Sequence, residues 1–302
     1  MKITENKDLK FGRVVLVGRP NTGKSTLLNA IMNQKVAITS PLPQTTRKNT
    51  RVIYSSDKGK IIFSDTPGIF NKVEDYVSKK VNLQAPKEIL RADVVVCLVD
   101  ISRPKGDEEN KVIGMVRKSR AKKVLVYNKI DLAVGTHDYL PQYNFLEDEF
   151  DATVSISALK NKHVKQVINE IFNLLPVKPE NEIIKDIEVL SMTNRPLIGI
   201  SSDEYISELV REKAYLFLRK ELPYSVNVEV TEIKEKKNII VIKAKILTTN
   251  ERYKKMIIGK DGRRIKEIGF NARKELELMS GKKIFLDLWV ETDKHWPERV
   301  MV

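Results

Sequence analysis

The chain is poor in residues that build disulfides or zinc sites: its 302 residues include one cysteine and three histidines. No internal disulfide can form, and the apolar run VVVCLVD around Cys97 indicates a buried core side chain. No apolar run approaches the roughly 18 residues that a membrane-spanning helix needs. The first ten residues, MKITENKDLK, have no apolar segment behind their positive charges, so we expect no secretion signal.

Positive charge is in excess, with 54 Lys and Arg against 40 Asp and Glu and a net charge of +14. This balance favours a polyanionic partner. The charge is concentrated in one stretch, residues 252–274, where nine basic residues stand against Asp261 and Glu267. We therefore expect a local basic surface in the second half of the chain.

Short β-branched runs alternate with amphipathic segments between residues 11 and about 175. The strand-like runs are 14–17, 60–65, 93–100, 123–131 and 152–158. Continuous apolar strands of this length are typical of a mostly parallel sheet buried on both faces. The turn residues SSDKGK at 55–60 predict an antiparallel hairpin at one edge. The pattern predicts an α/β domain over 11–176, after an N-terminal extension of residues 1–10.

The second half has another order of elements. Two prolines in LLPVKPENE predict the end of the first domain, and we place a linker at 177–202. A helix is expected from Asp203 to Lys220, followed by two alternating strands, two helical segments on either side of GKDG, and a last strand. This α-β-β-α-α-β order predicts an α+β domain over 203–302.

The segment GRPNTGKS at 18–25 lies between the first strand and an apolar helix, and it matches G-x-x-x-x-G-K-[ST] in that context. Such loops bind phosphate through backbone N–H groups and the helix N-terminus. Lys24 would reach the β- and γ-phosphates, and the Ser25 hydroxyl would ligate magnesium. An ordinary glycine-containing turn is the alternative. The predicted nucleotide-binding residues of this loop are Asn21, Thr22, Gly23, Lys24, Ser25 and Thr26.

Three further motifs follow predicted strands. Asp65 in DTPG is placed to hold magnesium through water, and Gly68 can present its N–H to a γ-phosphate. In NKID, the Asp131 carboxylate can accept from the N1–H and amine of guanine together, which adenine does not offer. Any one motif alone is most often a surface loop, but all of them in this order predict a guanine-nucleotide site. The base-binding residues are Asn128, Lys129 and Asp131, with Ser157, Ala158 and Leu159, where the Ala158 N–H would meet the guanine carbonyl.

These motifs resemble those of the Era family of translation-factor-related GTPases. The resemblance runs from Phe11 to Trp296 and includes GRPNTGKST, SPLPQTTR, DTPGI, NKID, SAL, ELPYSV and IIGKDGRRIKEIG. It implies a P-loop GTPase domain followed by a type II KH domain, with GTP, GDP and Mg²⁺ as ligands. It also implies that PQTTR is the first switch and that Thr46 is the second magnesium ligand beside Ser25 and Asp65. A loop with no ligand is the alternative for that segment.

Hydrolysis is expected to be slow, because Ile69 follows DTPG where many small GTPases place a water-orienting glutamine. An isoleucine cannot hydrogen-bond a water. The catalytic residues that the resemblance implies are Lys24, Asn21 and Thr46. Asn21 matches the position that coordinates a monovalent cation in potassium-activated relatives, so K⁺ is a further candidate cofactor. The alternative is that Asn21 only caps the turn.

GKDG at 259–262 has the G-x-x-G form of the KH loop, which clamps the backbone of about four nucleotides. Asp261 departs from the small residue usual in Era relatives, so a carboxylate would face phosphates unless it caps the following helix. A solvated helix face is the alternative interpretation. The predicted RNA contacts are Ile257, Ile258, Gly259, Lys260, Asp261, Gly262, Arg263, Arg264 and Lys266, and Ile265 would help to floor a groove for bases.

The resemblance further implies a role: binding of single-stranded RNA at the 3′ end of 16S ribosomal RNA during assembly of the small (30S) ribosomal subunit. One alternative is an rRNA chaperone in which GTP hydrolysis is incidental. A GTPase of tRNA modification would share the first-half motifs but would give no reason for the KH half. We expect a cytoplasmic monomer without a DNA partner. Peripheral contact with the inner face of the cell membrane is compatible with the charge.

Overall fold

The computed structural model describes residues 8–37, 50–68, 84–133, 135, 138–192, 202–219 and 221–299. The chain divides into two units, and the described residues up to Met192 lie in the first and those from Ser202 in the second. The predictions for Thr46, its loop PQTTR, and Ile69 fall outside these residues, as do residues 1–7 of the expected N-terminal extension.

The first unit is built on a sheet whose strands follow the order β2-β3-β1-β4-β5-β6, with β7 beside the start of β1. β1 is parallel to β3 and β4, and β4, β5 and β6 continue in parallel, whereas β2 and β7 are antiparallel to their neighbours. The predicted mostly parallel sheet with an edge hairpin is confirmed. The strands are β1 (Asp8–Val17), β2 (Thr50–Ser56), β3 (Gly59–Asp65), β4 (Val94–Asp100), β5 (Lys122–Asn128), β6 (Ala152–Ile156) and β7 (Val177–Pro179).

Helices cover both faces of this sheet because alternate residues of each central strand point to opposite sides. In β1, Val14 and Leu16 pack with α1 and α4, while Val15 and Val17 pack with α2 and α3. Cys97 is fully buried in the second of these clusters, as its apolar surroundings predicted. The helices are α1 (Lys24–Met32), α2 (Gln84–Ile89), α3 (Asp107–Arg117), α4 (Val164–Leu174) and α5 (Glu180–Met192).

The expected linker at 177–202 is, as far as Met192, part of the first unit. β7 pairs with the first three residues of β1, which we had placed in the N-terminal extension. Ile183 of α5 is fully buried against Phe11 and Ile62. Burial of an apolar helix face on the sheet gives this proline-containing, charged segment the fixed structure that its composition did not indicate.

The second unit has the predicted α-β-β-α-α-β order. β9 is the central strand, antiparallel to β8 and parallel to β10, and the helices bury their apolar faces on one side of this sheet. None of the helices in the described ranges is both long enough and apolar enough to cross a bilayer. The elements are α6 (Ser202–Phe217), β8 (Val226–Lys236), β9 (Ile239–Thr248), α7 (Glu251–Ile258), α8 (Arg263–Ser280), β10 (Lys283–Thr292) and a short α9 (Trp296–Arg299).

Candidate nucleotide site and candidate RNA loop

The predicted nucleotide motifs meet at one edge of the first sheet. Gly18 follows β1, Asp65 ends β3, Asn128 ends β5, and Ser157 follows β6. These strands are parallel, so their carboxyl ends lie side by side. Such an edge is where ligands bind in open α/β sheets.

The phosphate loop packs closely against the side chain of Asn128. A Cβ atom on Gly23 would lie 2.3 Å from Nδ2 of Asn128, and Gly23 has a φ of 96°. Only glycine fits this combination of close approach and left-handed backbone. The Lys24 ammonium donates to the carbonyl oxygens of Gly18 (3.1 Å) and Arg19 (3.0 Å), and burial lowers the pKa of Lys24 to about 8. A buried positive charge therefore lies at the junction of the phosphate loop and α1, on Lys24.

Ser25 and Asp65 form a pair that could hold magnesium. The Ser25 hydroxyl donates to Oδ2 of Asp65 at 2.6 Å, whereas Oδ1 of Asp65 is buried and has no hydrogen-bond partner in the described part of the chain. Burial raises the pKa of Asp65 to about 6. A hydroxyl and an unsatisfied carboxylate oxygen are the hard donors that Mg²⁺ prefers, so these two residues fit the ion.

Three more predicted residues lie in or beside the phosphate loop. Gly68 is buried against Pro20, and a Cβ atom added to it would lie 2.7 Å from the Pro20 backbone. The Thr22 hydroxyl donates to the Arg19 carbonyl at 3.1 Å. Thr26 is partly exposed, one residue after Ser25 in α1. DTPG and the phosphate loop are therefore in direct contact.

Asn128 links the two loops on either side of it. Its Nδ2 donates to the Thr22 carbonyl at 2.7 Å, and its Oδ1 accepts the Ala158 N–H at 3.0 Å. The Ala158 N–H, which we expected to meet the guanine carbonyl, therefore donates to Asn128 in this structure. Ser157 is fully buried, and its hydroxyl oxygen accepts the Lys160 N–H at 3.1 Å.

The remaining base-binding candidates are more accessible. Asp131 is partly exposed, and no group in the described ranges donates to its carboxylate or pairs with it. Leu159 is 73% exposed. Lys129 forms an ion pair with Asp100, with Nζ 2.7 Å from Oδ2. The group chosen to read guanine is thus available to a ligand.

In the second unit, GKDG connects α7 to α8 through three residues with positive φ. Gly259, Asp261 and Gly262 have φ values of 73°, 53° and 71°. This sequence of dihedrals makes the abrupt turn between the two helices, and it leaves Lys260 and Arg263 exposed beside the turn. Lys266 is exposed one turn along α8.

Comparison with known proteins identifies the family. Residues 13–129 match the family described as 50S ribosome-binding GTPase, and residues 221–297 match the KH domain family. The chain is 40% identical to GTPase Era of Thermoanaerobacter sp. strain X514 over 290 residues, which is 95% of this chain and 92% of that protein. The chain belongs to the Era family of GTPases.

Other Era proteins agree over the same length. Era of Halothermothrix orenii is 36% identical over 298 residues, 96% of this chain and 95% of that protein. A crystal structure of an Aquifex aeolicus Era variant bound to GDP and AlF4⁻ matches with a TM-score of 0.83 at 32% identity, covering 96% of each chain. A structure of Era with MgGDPNP and nucleotides 1506–1542 of 16S ribosomal RNA matches with the same TM-score and coverage. The predicted fold, a P-loop GTPase domain followed by a KH domain, is confirmed for this Era-family chain.

The structure corrects the prediction for Ile257 in the RNA loop of this Era-family GTPase, and it gives the local contacts of Arg264 and Asp261. Ile257 cannot floor a base groove, because its side chain is fully buried in the core of the second unit, while Ile258 and Ile265 are partly exposed. Arg264 donates from Nη1 to the Met256 carbonyl at 2.7 Å and so satisfies an acceptor in the last turn of α7. Asp261 does not cap α8, since Gly262 occupies the N-cap position without a side-chain bond.

Sequence reasoning missed four charged residues around the Era nucleotide site: Arg19, Asp100, Arg103 and Glu109. Arg103 donates from Nη2 to the Pro20 carbonyl at 2.7 Å, and Arg19 forms an ion pair with Glu109 of α3. Asp100 ends β4 and is 1% exposed. The sequence did contain a signal for this residue, because a carboxylate at the end of a fully apolar strand lies at the same edge as Asp65 and Asn128.

Proposed function

We propose that this Era-family GTPase binds GTP at the carboxyl edge of the first sheet and hydrolyses it slowly to GDP. We further propose that it binds single-stranded RNA at the 3′ end of 16S ribosomal RNA through the GKDG loop, in assembly of the 30S subunit. The observation that carries the proposal is that one chain holds both a phosphate-loop Ser25 bonded to the buried carboxylate of Asp65 and an exposed basic G-x-x-G turn. We assign residues 8–192 to the nucleotide domain and 202–299 to the RNA domain.

The nucleotide chemistry follows from the charges in the site. Magnesium held by Ser25 and Asp65 would neutralise charge on the β- and γ-phosphates. Lys24 keeps its proton in most molecules at pH 7, since its pKa is about 8, and a triphosphate would provide it with a negative partner. Asp131 would select guanine by accepting from N1–H and the exocyclic amine.

We propose K⁺ as an additional ligand at Asn21. This residue lies in the phosphate loop with a left-handed backbone φ of 63°, an arrangement that an asparagine tolerates better than most residues. A monovalent cation beside the phosphates would supply part of the charge that an arginine finger supplies elsewhere. GTP hydrolysis at matched ionic strength should be faster in potassium than in sodium, and equal rates would contradict the assignment.

The RNA assignment draws on the relatives and on charge. The Era structure containing 16S ribosomal RNA nucleotides supports rRNA as the ligand, and relatives named Era match nearly the whole chain. The family description that names the 50S subunit covers only residues 13–129, so it does not decide which subunit is the partner. We place the protein in the cytoplasm. Contact with the membrane surface remains a prediction from the net charge of +14.

The decisive experiment measures RNA affinity in each nucleotide state. A labelled RNA with the 3′-end sequence of 16S rRNA would be titrated with protein that is empty, GDP-bound or bound to a non-hydrolysable GTP analogue. We expect RNA affinity to differ between the states, and Lys24→Ala to abolish the difference by preventing nucleotide binding. Lys118→Ala, which removes an exposed lysine from the same unit, is the matched control. Equal RNA affinity in all states would favour the chaperone alternative.

A further inference from the structure

Asp100 is a buried carboxylate whose two oxygens are both occupied. Oδ1 accepts the Ser102 hydroxyl at 2.6 Å and the Ser102 N–H at 3.1 Å. Oδ2 lies 2.7 Å from Nζ of Lys129 and 2.9 Å from Nε of Arg103. Burial alone would raise the pKa of Asp100, but the hydrogen bonds from Lys129 and Ser102 and the nearby positive charges outweigh it and lower the pKa. The group is therefore a fixed negative charge.

The two cations on this carboxylate connect it to different motifs. Arg103 continues to the phosphate loop, where its Nη2 donates to the Pro20 carbonyl at 2.7 Å. Lys129 is the second residue of NKID and has a left-handed φ of 69°. Oδ2 of Asp100 thus contacts both Arg103, which is bonded to the phosphate loop, and Lys129, which lies in the base-recognition segment NKID.

We propose that Asp100 is a positioning residue that sets the affinity for guanine nucleotides by joining the phosphate loop, through Arg103, to the base-recognition segment, through Lys129. The inference rests on the proposed nucleotide site and adds a residue that none of its motifs contains. Long cationic side chains lose rotamer freedom when a ligand orders them, and a protein that has already ordered them binds more tightly. Asp131 selects the base, so Asp100 should affect GDP and GTP alike and leave base preference unchanged.

The test compares fluorescent GDP and GTP analogues on nucleotide-free protein. Asp100→Asn should weaken both about tenfold, since hydrogen bonds to a charged group are lost, and the loss should come from faster dissociation. The hydrolysis rate at saturating GTP should stay within about twofold of wild type, so KM rises while kcat is kept. Glu149→Gln is the matched control, because it breaks an arginine–carboxylate pair with Arg117 at the surface of the same unit and should change neither constant.

Double variants separate positioning from a general loss of stability. If Asp100 acts through its two partners, adding Arg103→Met or Lys129→Met to Asp100→Asn should cost less affinity than the sum of the single changes. Should Asp100→Asn not fold, Arg103→Met and Lys129→Met still test the idea, because two cations that share one carboxylate should show a non-additive effect.

Full additivity in these cycles would overturn the inference, as would unchanged nucleotide affinity in folded Asp100→Asn or a fall in kcat at constant affinity. Wild-type protein that binds no guanine nucleotide would overturn the proposed function and this inference together. If wild-type protein binds guanine nucleotides but the variants show no loss of affinity, this inference alone is overturned.

Discussion

The hydroxyl of Ser25 donates a 2.6 Å hydrogen bond to Oδ2 of Asp65, which joins the first turn of α1 to the carboxyl end of β3. The other oxygen of that carboxylate is buried without a hydrogen-bond partner in the described part of the chain. A buried, half-satisfied carboxylate costs free energy of folding. The cost is understandable if that oxygen is kept for magnesium.

This cost makes the stability of the protein depend on pH at Asp65. Burial raises the pKa from 3.8 to about 6, so between these values the folded state keeps a proton that the unfolded state has lost. The stabilisation of the folded state by the proton on Asp65 is therefore fully present below about pH 4 and is lost as pH rises through about 6. Without nucleotide or Mg²⁺, Asp65→Asn should exceed wild type in free energy of unfolding by about 3 kcal/mol at pH 7, and by little at pH 4.

Urea unfolding in EDTA at the two pH values measures this difference. Asp57→Asn, in the exposed turn of the β2–β3 hairpin, is the control and should show no such change. A stability advantage of Asp65→Asn that is the same at pH 4 and pH 7 would contradict the assigned cause.

Asn128→Ala should destabilise the nucleotide-free protein by about 2 to 3 kcal/mol, because it leaves the Thr22 carbonyl and the Ala158 N–H without their buried partner. Thermal unfolding would show a lower Tm. Asn173→Ala removes an exposed asparagine of α4 whose amide donates an exposed hydrogen bond to the carboxylate of Glu170, so its Tm should match wild type. Equal Tm values for both variants would show that Asn128 does not hold the two loops together.

Asp131→Asn should change the preferred base from guanine to xanthine. An amide donates where the carboxylate accepted, and the oxo group of xanthine can accept that hydrogen bond. Competition between GDP and xanthosine diphosphate for the purified variant measures the change. A variant that still prefers GDP would place the base pocket elsewhere.

Replacing both Lys260 and Arg263 with Ala should weaken RNA binding and make it less dependent on salt. Each phosphate contact on single-stranded nucleic acid contributes about 0.7 to the slope of log K against log salt, so the slope should fall by about 1.4. The control pair is Lys236→Ala with Lys237→Ala, which removes the same charge from the exposed β8–β9 turn. An unchanged slope for the first pair would remove the GKDG loop from the RNA contacts.

Asp261→Asn should bind RNA several-fold more tightly than wild type. The Asp261 carboxylate is exposed, does not cap α8, and lies 4.0 Å from Arg263, so it offsets positive charge at the turn. Asparagine accepts the left-handed φ of 53° and has no charge. RNA titrations at low and high salt should show the gain mainly at low salt. A loss of affinity would indicate that the carboxylate contributes a specific contact.

Much of the nucleotide site could be predicted from the sequence because its motifs are contiguous and follow strands. Strand, loop and helix are adjacent in GRPNTGKS, so the local pattern predicts a phosphate loop. The parallel strand order then brings Asp65 and Asn128 to the same edge. Asp100 and Arg103 were missed because the contacts that connect them to the two motifs, with Lys129 and Pro20, are made by residues far from them in sequence, and only the packed sheet brings these residues together.

The sequence by itself determined the α/β and α+β order of elements, the phosphate loop, the proposal that Asp131 reads guanine, and the basic turn, because these depend on periodicity and on neighbouring residues. Tertiary structure decided that Ile257 lies in the core, that Arg264 donates a hydrogen bond to a carbonyl at the end of α7, and that α5 packs on the first sheet. Helical periodicity shows which residues share a face, but packing decides which face is covered. That choice is made by elements distant in sequence, so it had to be observed in the folded chain.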